Sequence, residues 1–278
     1  MEVLSSPLRA VGSGPTVLLL HSSGSSGRQW ETLSTRMRGR YRIVTVDVHG
    51  HATTPEWRSD RPLRLEDDME LAEPVFGGAG PIHLVGHSYG GVLALKLAIK
   101  HSSRIASVSV YEPVCLRLLL EVNPHDPAAM SIVRAAQSIR DWHAQGQPMR
   151  AAERFVDFWS GPGAWSTMPH KAQTAVASRV PAVVGHFGAI FADPMRQTDL
   201  ARLKMPVLSV TGTETTEVTR RIGALMQHWM PQATCEQLAG AGHMGPITHA
   251  DAFARLIERF VDAQSPSAND HAPLQWAA

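Results

Sequence analysis

Cysteine is almost missing from this 278-residue chain, which carries only Cys115 and Cys235. The two lie far apart, in no spacing used by metal-binding or dithiol motifs, so a cysteine-built zinc site or redox pair is excluded. One disulfide is formally open to them, but two free, buried thiols in a reducing compartment fit the pattern better. Charge of one sign is not in excess either. Lys and Arg total 26 against 25 Asp and Glu, a net charge of +1, so there is no basic surplus for nucleic acid or an anionic membrane surface. Long apolar runs are absent, and none approaches the roughly 20 residues of a membrane span. The opening MEVLSSPLRAVGSGP lacks a basic segment followed by an apolar stretch, so it does not read as a signal peptide. A cytoplasmic protein with a small-molecule partner is expected, with neither nucleic acid nor membrane bound. A homodimer stays open.

What is present is a set of short runs rich in Val, Ile and Leu, bounded by turn residues. Such runs read as strands buried on both faces. They cover 16–20, after the turn signal GSGP, then 41–47, 82–85, 105–111, 206–211 and 233–238. Segments of helical length, such as 30–37 and 91–101, separate the early ones. Strand alternating with helix predicts right-handed crossovers and a mostly parallel sheet, an α/β fold. The alternation breaks between Pro113 and Leu200. Helical patches at 127–145, 149–159 and 169–183 fill the gap, divided by stretches such as SGPGAWSTMPH. The expected organisation is a core over 1–112 and 201–263, a helical cap over 113–200 laid on the sheet's carboxyl edge, and a loose tail over 264–278.

At 86–91 the chain reads GHSYGG, between an apolar strand and an apolar helix. Gly86 and Gly90 flank Ser88 in a Gly-x-Ser-x-Gly pattern. That spacing lets strand and helix close tightly around a strained residue and leaves the serine oxygen exposed. The helix start adds backbone N–H groups and the positive end of a dipole. Ser88 is thus a candidate nucleophile.

Together with VLLLHSSGSSGRQW, VDVHGHATTP and LAGAGHMGPITH, the stretch LVGHSYGG resembles the successive signatures of the α/β-hydrolase superfamily, in the same order. The resemblance covers about 15–262 apart from the insertion. It implies an eight-stranded sheet with a lid inserted after the sixth strand. It also implies that His243, in GAGHMGP, is the general base; its near-neutral pKa suits that role. His249, six residues on, is the rival, and is expected at the entrance of the closing helix 251–260. An oxyanion hole needs two N–H donors. Tyr89, the residue after the nucleophile, supplies one, and Ser23 the other. Relatives usually carry His-Gly where this chain has His21-Ser22-Ser23.

The third triad member departs from the common pattern. Relatives usually place an aspartate three residues after the glycine that ends the strand at 206–211; here that position is Thr215. Glu112 is the leading replacement. It follows the strand 105–111, lies 112 − 88 = 24 residues after Ser88, and precedes Pro113. Some similar proteins, notably one group of haloalkane dehalogenases, carry their catalytic acid as a glutamate after this same strand. Glu214, Glu217 and an incomplete triad remain open.

A metal-free serine hydrolase is the leading expectation. It would act through an acyl-enzyme on a small carboxylic ester or lactone. Carbon–carbon bond hydrolysis, acyl transfer and a non-catalytic binding protein on the same fold are the alternatives. Trp142, Trp159, Trp165, Phe155, Phe158 and Phe187 of the insertion are candidates for an apolar acyl pocket, or else for packing between cap helices. His143, His170 and His186 share no metal-ligand spacing. No metal and no cofactor is expected.

Overall fold

The computed structural model describes residues 6–265. From residue 266 on, the expected tail lies outside them. One sheet holds seven strands: β1 (Leu8–Val11), β2 (Thr16–Leu20), β3 (Arg42–Val46), β4 (Ile82–His87), β5 (Ile105–Tyr111), β6 (Val207–Gly212) and β7 (Thr234–Leu238). Their order is β1-β3-β2-β4-β5-β6-β7. All neighbours run parallel except β1, which pairs antiparallel with β3.

The central strands are apolar on both faces because each face meets helices. Leu18 and Leu20 join Val44, Val46 and Leu84 under the helix Tyr89–Lys100. Val17 and Leu19 point the other way, onto Ile43, Val85 and the helices Glu31–Met37 and Ala250–Ala263. The period-2 alternation of a strand therefore divides one apolar run between two cores.

The resemblance implied eight strands; the described residues form seven. The helical insertion correspondingly follows the fifth strand in chain order rather than the sixth. β1 is short and its last three residues are exposed, so it closes the sheet without an apolar face for a further strand. Between β5 and β6 the chain makes helices only, among them Pro127–Ala144, Pro148–Ser160, His170–Ala177 and Val180–Ala192. The single patch expected over 169–183 is in fact two helices, bent by 50°. Pro181, in the first turn of the second helix, has no N–H to continue the first. Cys115 is buried as expected, but Cys235 is exposed, because it lies on the edge strand β7. No single helix among the described residues is long and apolar enough to cross a membrane.

The loops after β2, β4, β5 and β7 leave from the carboxyl ends of parallel strands. β2 lies between β3 and β4, where strand order reverses, and this is where open α/β sheets place their ligands.

Candidate active site

Ser88 lies between the end of β4 and the start of the helix Tyr89–Lys100, with φ 56° and ψ −116°, a backbone that L-residues rarely adopt. The flanking glycines make the turn possible. A Cβ on Gly86 would stand 2.3 Å from the Gly90 carbonyl oxygen, and one on Gly90 would stand 2.2 Å from that of Leu20. With no side chains there, strand β4 and its helix close on β2 and lift Ser88 above the sheet.

Ser88 Oγ lies 2.9 Å from His243 Nε2, and His243 Nδ1 lies 2.7 Å from Glu112 Oε2. A carboxylate only accepts, so Nδ1 carries the proton and Nε2 accepts from the serine hydroxyl. Both His243 and Glu112 are 2% exposed. Glu112 also sits at positive φ, 44°, at the end of β5. Its Oε1 accepts from the Gly212 amide at 2.8 Å and its Oε2 from Thr215 Oγ1 at 2.7 Å. Gly212 cannot carry a side chain, since a Cβ would meet the Ala241 carbonyl oxygen at 2.1 Å. Glu112 therefore reaches across the end of β6 to a histidine delivered by the loop after β7. The other two carboxylates considered do not come near. Glu214 is exposed, and Glu217 is exposed and paired with Arg220. His249 stands at the start of the helix Ala250–Ala263, beside Thr248.

The loop that carries His243 is fixed from two sides that no local sequence pattern announced. Tyr111 donates its hydroxyl to the Gly242 carbonyl at 2.6 Å. His87 donates Nε2–H to the His243 carbonyl at 2.8 Å while Gln29 faces its other nitrogen at 3.3 Å. Burial pushes the His87 pKa well down, in keeping with a neutral ring that both donates and accepts. Gln29 also holds Ser22, accepting from its amide and its hydroxyl at 3.0 and 3.1 Å. Ser22 needs no left-handed backbone, so serine is accommodated where relatives carry glycine.

Ser23 and Tyr89 both line a recess of about 20 Å³ beside Ser88, room for a single water-sized group. Ser23 Oγ lies 2.8 Å from Nδ1 of His186, which comes from the helix Val180–Ala192. His186 Nε2 is 3.5 Å from Asp68 Oδ2, an ion-pair distance rather than an aligned hydrogen bond. A second serine–histidine–carboxylate array, Ser23–His186–Asp68, thus stands beside the first. Asp68 is fully buried. Burial alone would raise its pKa, but the His186 and His49 imidazoles and the Tyr89 hydroxyl, 2.6 Å away, hold it well below the usual carboxylate range. The Tyr89 ring stacks on His186 at 3.8 Å, and His51 stacks on His186's other side at 5.1 Å.

The recess adjoins a cavity of about 600 Å³ that reaches Ser88 and His243. Of the six aromatic candidates, Phe155 and Trp159 line both spaces and Phe187 lines the recess. Trp159 also stacks on the His243 ring at 4.1 Å. Trp142, Trp165 and Phe158 line neither space. Trp142 lies under Arg150, Phe158 packs edge-on against Trp159, and Trp165 is buried in the core. Among the described residues, no three His, Cys, Asp or Glu side chains converge as metal ligands would.

Comparison with known proteins places this geometry in a family. The model of the alpha/beta hydrolase family matches residues 17–256. A pimeloyl-[acyl-carrier protein] methyl ester esterase of Aeromonas hydrophila is 24% identical over 267 residues, covering 93% of this chain and all of that protein. Among solved structures, the enol-lactonase from Burkholderia xenovorans superposes with a TM-score of 0.70 at 19% identity, over 92% of this chain and 95% of that one. A thermophilic esterase from Thermogutta terrifontis gives 0.72 at 21%, over 92% and 93%. With its family signature spanning the sheet from β2 to the final helix, this chain belongs to the alpha/beta hydrolase family.

Proposed function

We propose that the protein is a serine hydrolase that cleaves a small carboxylic ester or lactone through an acyl-enzyme. The observation that carries the reading is the unbroken chain Ser88–His243–Glu112, at 2.9 and 2.7 Å, opening on a cavity of about 600 Å³. Ser88 Oγ attacks the carbonyl carbon while His243 Nε2 takes its proton. The carbonyl oxygen becomes an oxyanion, stabilised by the amides of Ser23 and Tyr89. His243 returns the proton to the departing alkoxide. Water then enters, gives a proton to His243 and adds its oxygen to the acyl carbon. His243 passes the proton to Ser88 Oγ as the acyl–Oγ bond breaks, releasing the acid and free Ser88. Glu112 holds the Nδ1–H tautomer throughout and stabilises the imidazolium. Phe155 and Trp159 give the cavity its apolar wall.

The relatives named above as an ester esterase and an enol-lactonase both act on acyl–oxygen bonds by their names, which supports ester and lactone cleavage over carbon–carbon cleavage. The two free cysteines support a reducing, cytoplasmic setting. Labelling by a fluorophosphonate probe, lost in Ser88→Ala, tests the reading. A wild-type protein that neither labels nor turns over p-nitrophenyl esters would overturn it.

A further inference from the structure

We propose that the substrate carries an anionic oxyacid group, a carboxylate or a phosphate, and that Arg179, with Arg28 nearer the solvent, binds it. The proposal rests on the hydrolase reading above. Its starting point is the charge of the cavity beside Ser88: two arginines line the wall, and no aspartate or glutamate does. The fold puts Arg179 there through the break forced by Pro181, because Arg179 is the residue just before the helix Val180–Ala192.

A guanidinium has five N–H donors in a planar fork. Arg179 commits one of them, Nη1, to the Gly24 carbonyl at 3.0 Å. Among the described residues no carboxylate lies within salt-bridge distance of Arg179. The acid that acts on it from further off is Asp47, which is buried and already accepts from the Gly27 amide at 2.7 Å. Burial lowers the Arg179 pKa despite Asp47, the sign of a half-buried cation without enough opposing charge. An oxyacid group entering the cavity would supply that charge in a bidentate fork.

The bond to Gly24 also sets where the group would lie. Gly24 follows Ser23, whose amide faces the reacting carbonyl in the proposed mechanism. The anionic group and the scissile bond would therefore be read by one short loop. A substrate with the charge a few bonds from the ester matches this layout, and a plain alkyl ester leaves Arg179 uncompensated.

The test compares methyl hexanoate, monomethyl adipate and a matched methyl ester ending in phosphate. In the wild type, kcat/KM for at least one anionic ester should exceed that for methyl hexanoate by roughly ten- to a hundredfold. The gain should appear mainly in KM and shrink as salt is added. The better anionic arm identifies carboxylate or phosphate. In Arg179→Gln the anionic-to-neutral ratio should fall to near one, and Arg179→Lys should keep part of it. Equal rates for all three esters in the wild type, or a ratio unchanged in Arg179→Gln, would overturn the proposal. Should Arg179→Gln fail to fold, calorimetry on Ser88→Ala decides without turnover: tighter binding of an anionic ester than of methyl hexanoate supports the subsite, and equal binding refutes it. Lack of fluorophosphonate labelling would instead sink the hydrolase reading, and the calorimetry would still report on Arg179.

Discussion

Thr215 donates its hydroxyl to Glu112 Oε2 at 2.7 Å. Position 215, where the resemblance would put the acid, thus supports the carboxylate proposed to replace it. Thr215 is in turn 2.8 Å from Thr219 Oγ1, and the Gly212 amide holds the other oxygen of Glu112. The glutamate is fixed by three donors, counting His243, so a charge-assisted network replaces the reach of an aspartate from the later loop.

That arrangement predicts a transplant. Glu112→Gln should lower kcat by about ten-thousandfold, the loss seen when a triad acid becomes its amide. Glu112→Ala should lose at least as much. Adding Thr215→Asp to Glu112→Ala should recover part of the activity, because the new carboxylate enters the space that Glu112 leaves and finds the Gly212 amide there. Steady-state kinetics on p-nitrophenyl acetate checks the series. A double variant no faster than Glu112→Ala would show that position 215 no longer reaches His243.

Tyr89 separates backbone from side chain. Its amide is the proposed oxyanion donor, while its hydroxyl is bound to the buried Asp68. Tyr89→Phe should leave kcat within a few-fold of wild type. It should lower unfolding free energy by about 1–3 kcal/mol, since a buried carboxylate loses a donor. Urea denaturation alongside kinetics reads both effects. A large fall in kcat at normal stability would move the role to the hydroxyl.

Much of this site was legible from residue order, and the reasons differ by residue. β2, β4 and β5 are buried on both faces, so their apolar runs stand out; β1 is an exposed edge of four residues and left no such mark. Ser88 was marked by glycines whose absence of Cβ is a steric requirement. Glu112 is singled out by the aspartate missing at Thr215, and its carboxylate lies 2.7 Å from His243 Nδ1. By contrast, His186 and Asp68 were not legible. His186 meets Ser23 across 163 residues, from a helix whose orientation no local pattern states. Asp68, within LEDDME, reads as one more solvated helix charge until the helices above it are in place. Tyr111 and His87 carry no local signal for the same reason: the loop they hold is distant in the chain.

Buried neutral histidines predict the acid limb of stability. Burial lowers the pKa of both His21 and His83 to about 4, against 6.5 in the unfolded chain. Above pH 6.5 both states are neutral there and stability is full. As pH falls from 6.5 towards 4, the unfolded chain takes up protons that the folded one refuses, and stability is lost at up to about 1.4 kcal/mol per pH unit per histidine. Below about 4 the folded state protonates too and this loss levels off. Asp68, held low, begins to destabilise only below its unfolded value near 3.8. Urea titrations between pH 7.5 and 4 should show the slope, and His83→Gln should reduce it by about one proton. An unchanged slope in His83→Gln would mean that His83 is protonated in the fold.

Backbone strain at Ser88, the proposed nucleophile, should be measurable. Ser88 is held at φ 56°, ψ −116°, a conformation that costs on the order of 1–3 kcal/mol for an L-residue and little for glycine. Ser88→Ala and Ser88→Gly both remove the hydroxyl that faces His243 Nε2, so their difference isolates the backbone. Glycine in the unfolded chain offsets about 0.5–1 kcal/mol of any gain. Ser88→Gly should therefore be more stable than Ser88→Ala by roughly 1 kcal/mol, with neither variant active. Chemical denaturation of the pair measures this directly. Should Ser88→Gly prove less stable than Ser88→Ala, the turn would be relaxed. Ser88, buried but lining the cavity, would then owe its position to the close approach of Gly86 and Gly90 to their neighbours alone.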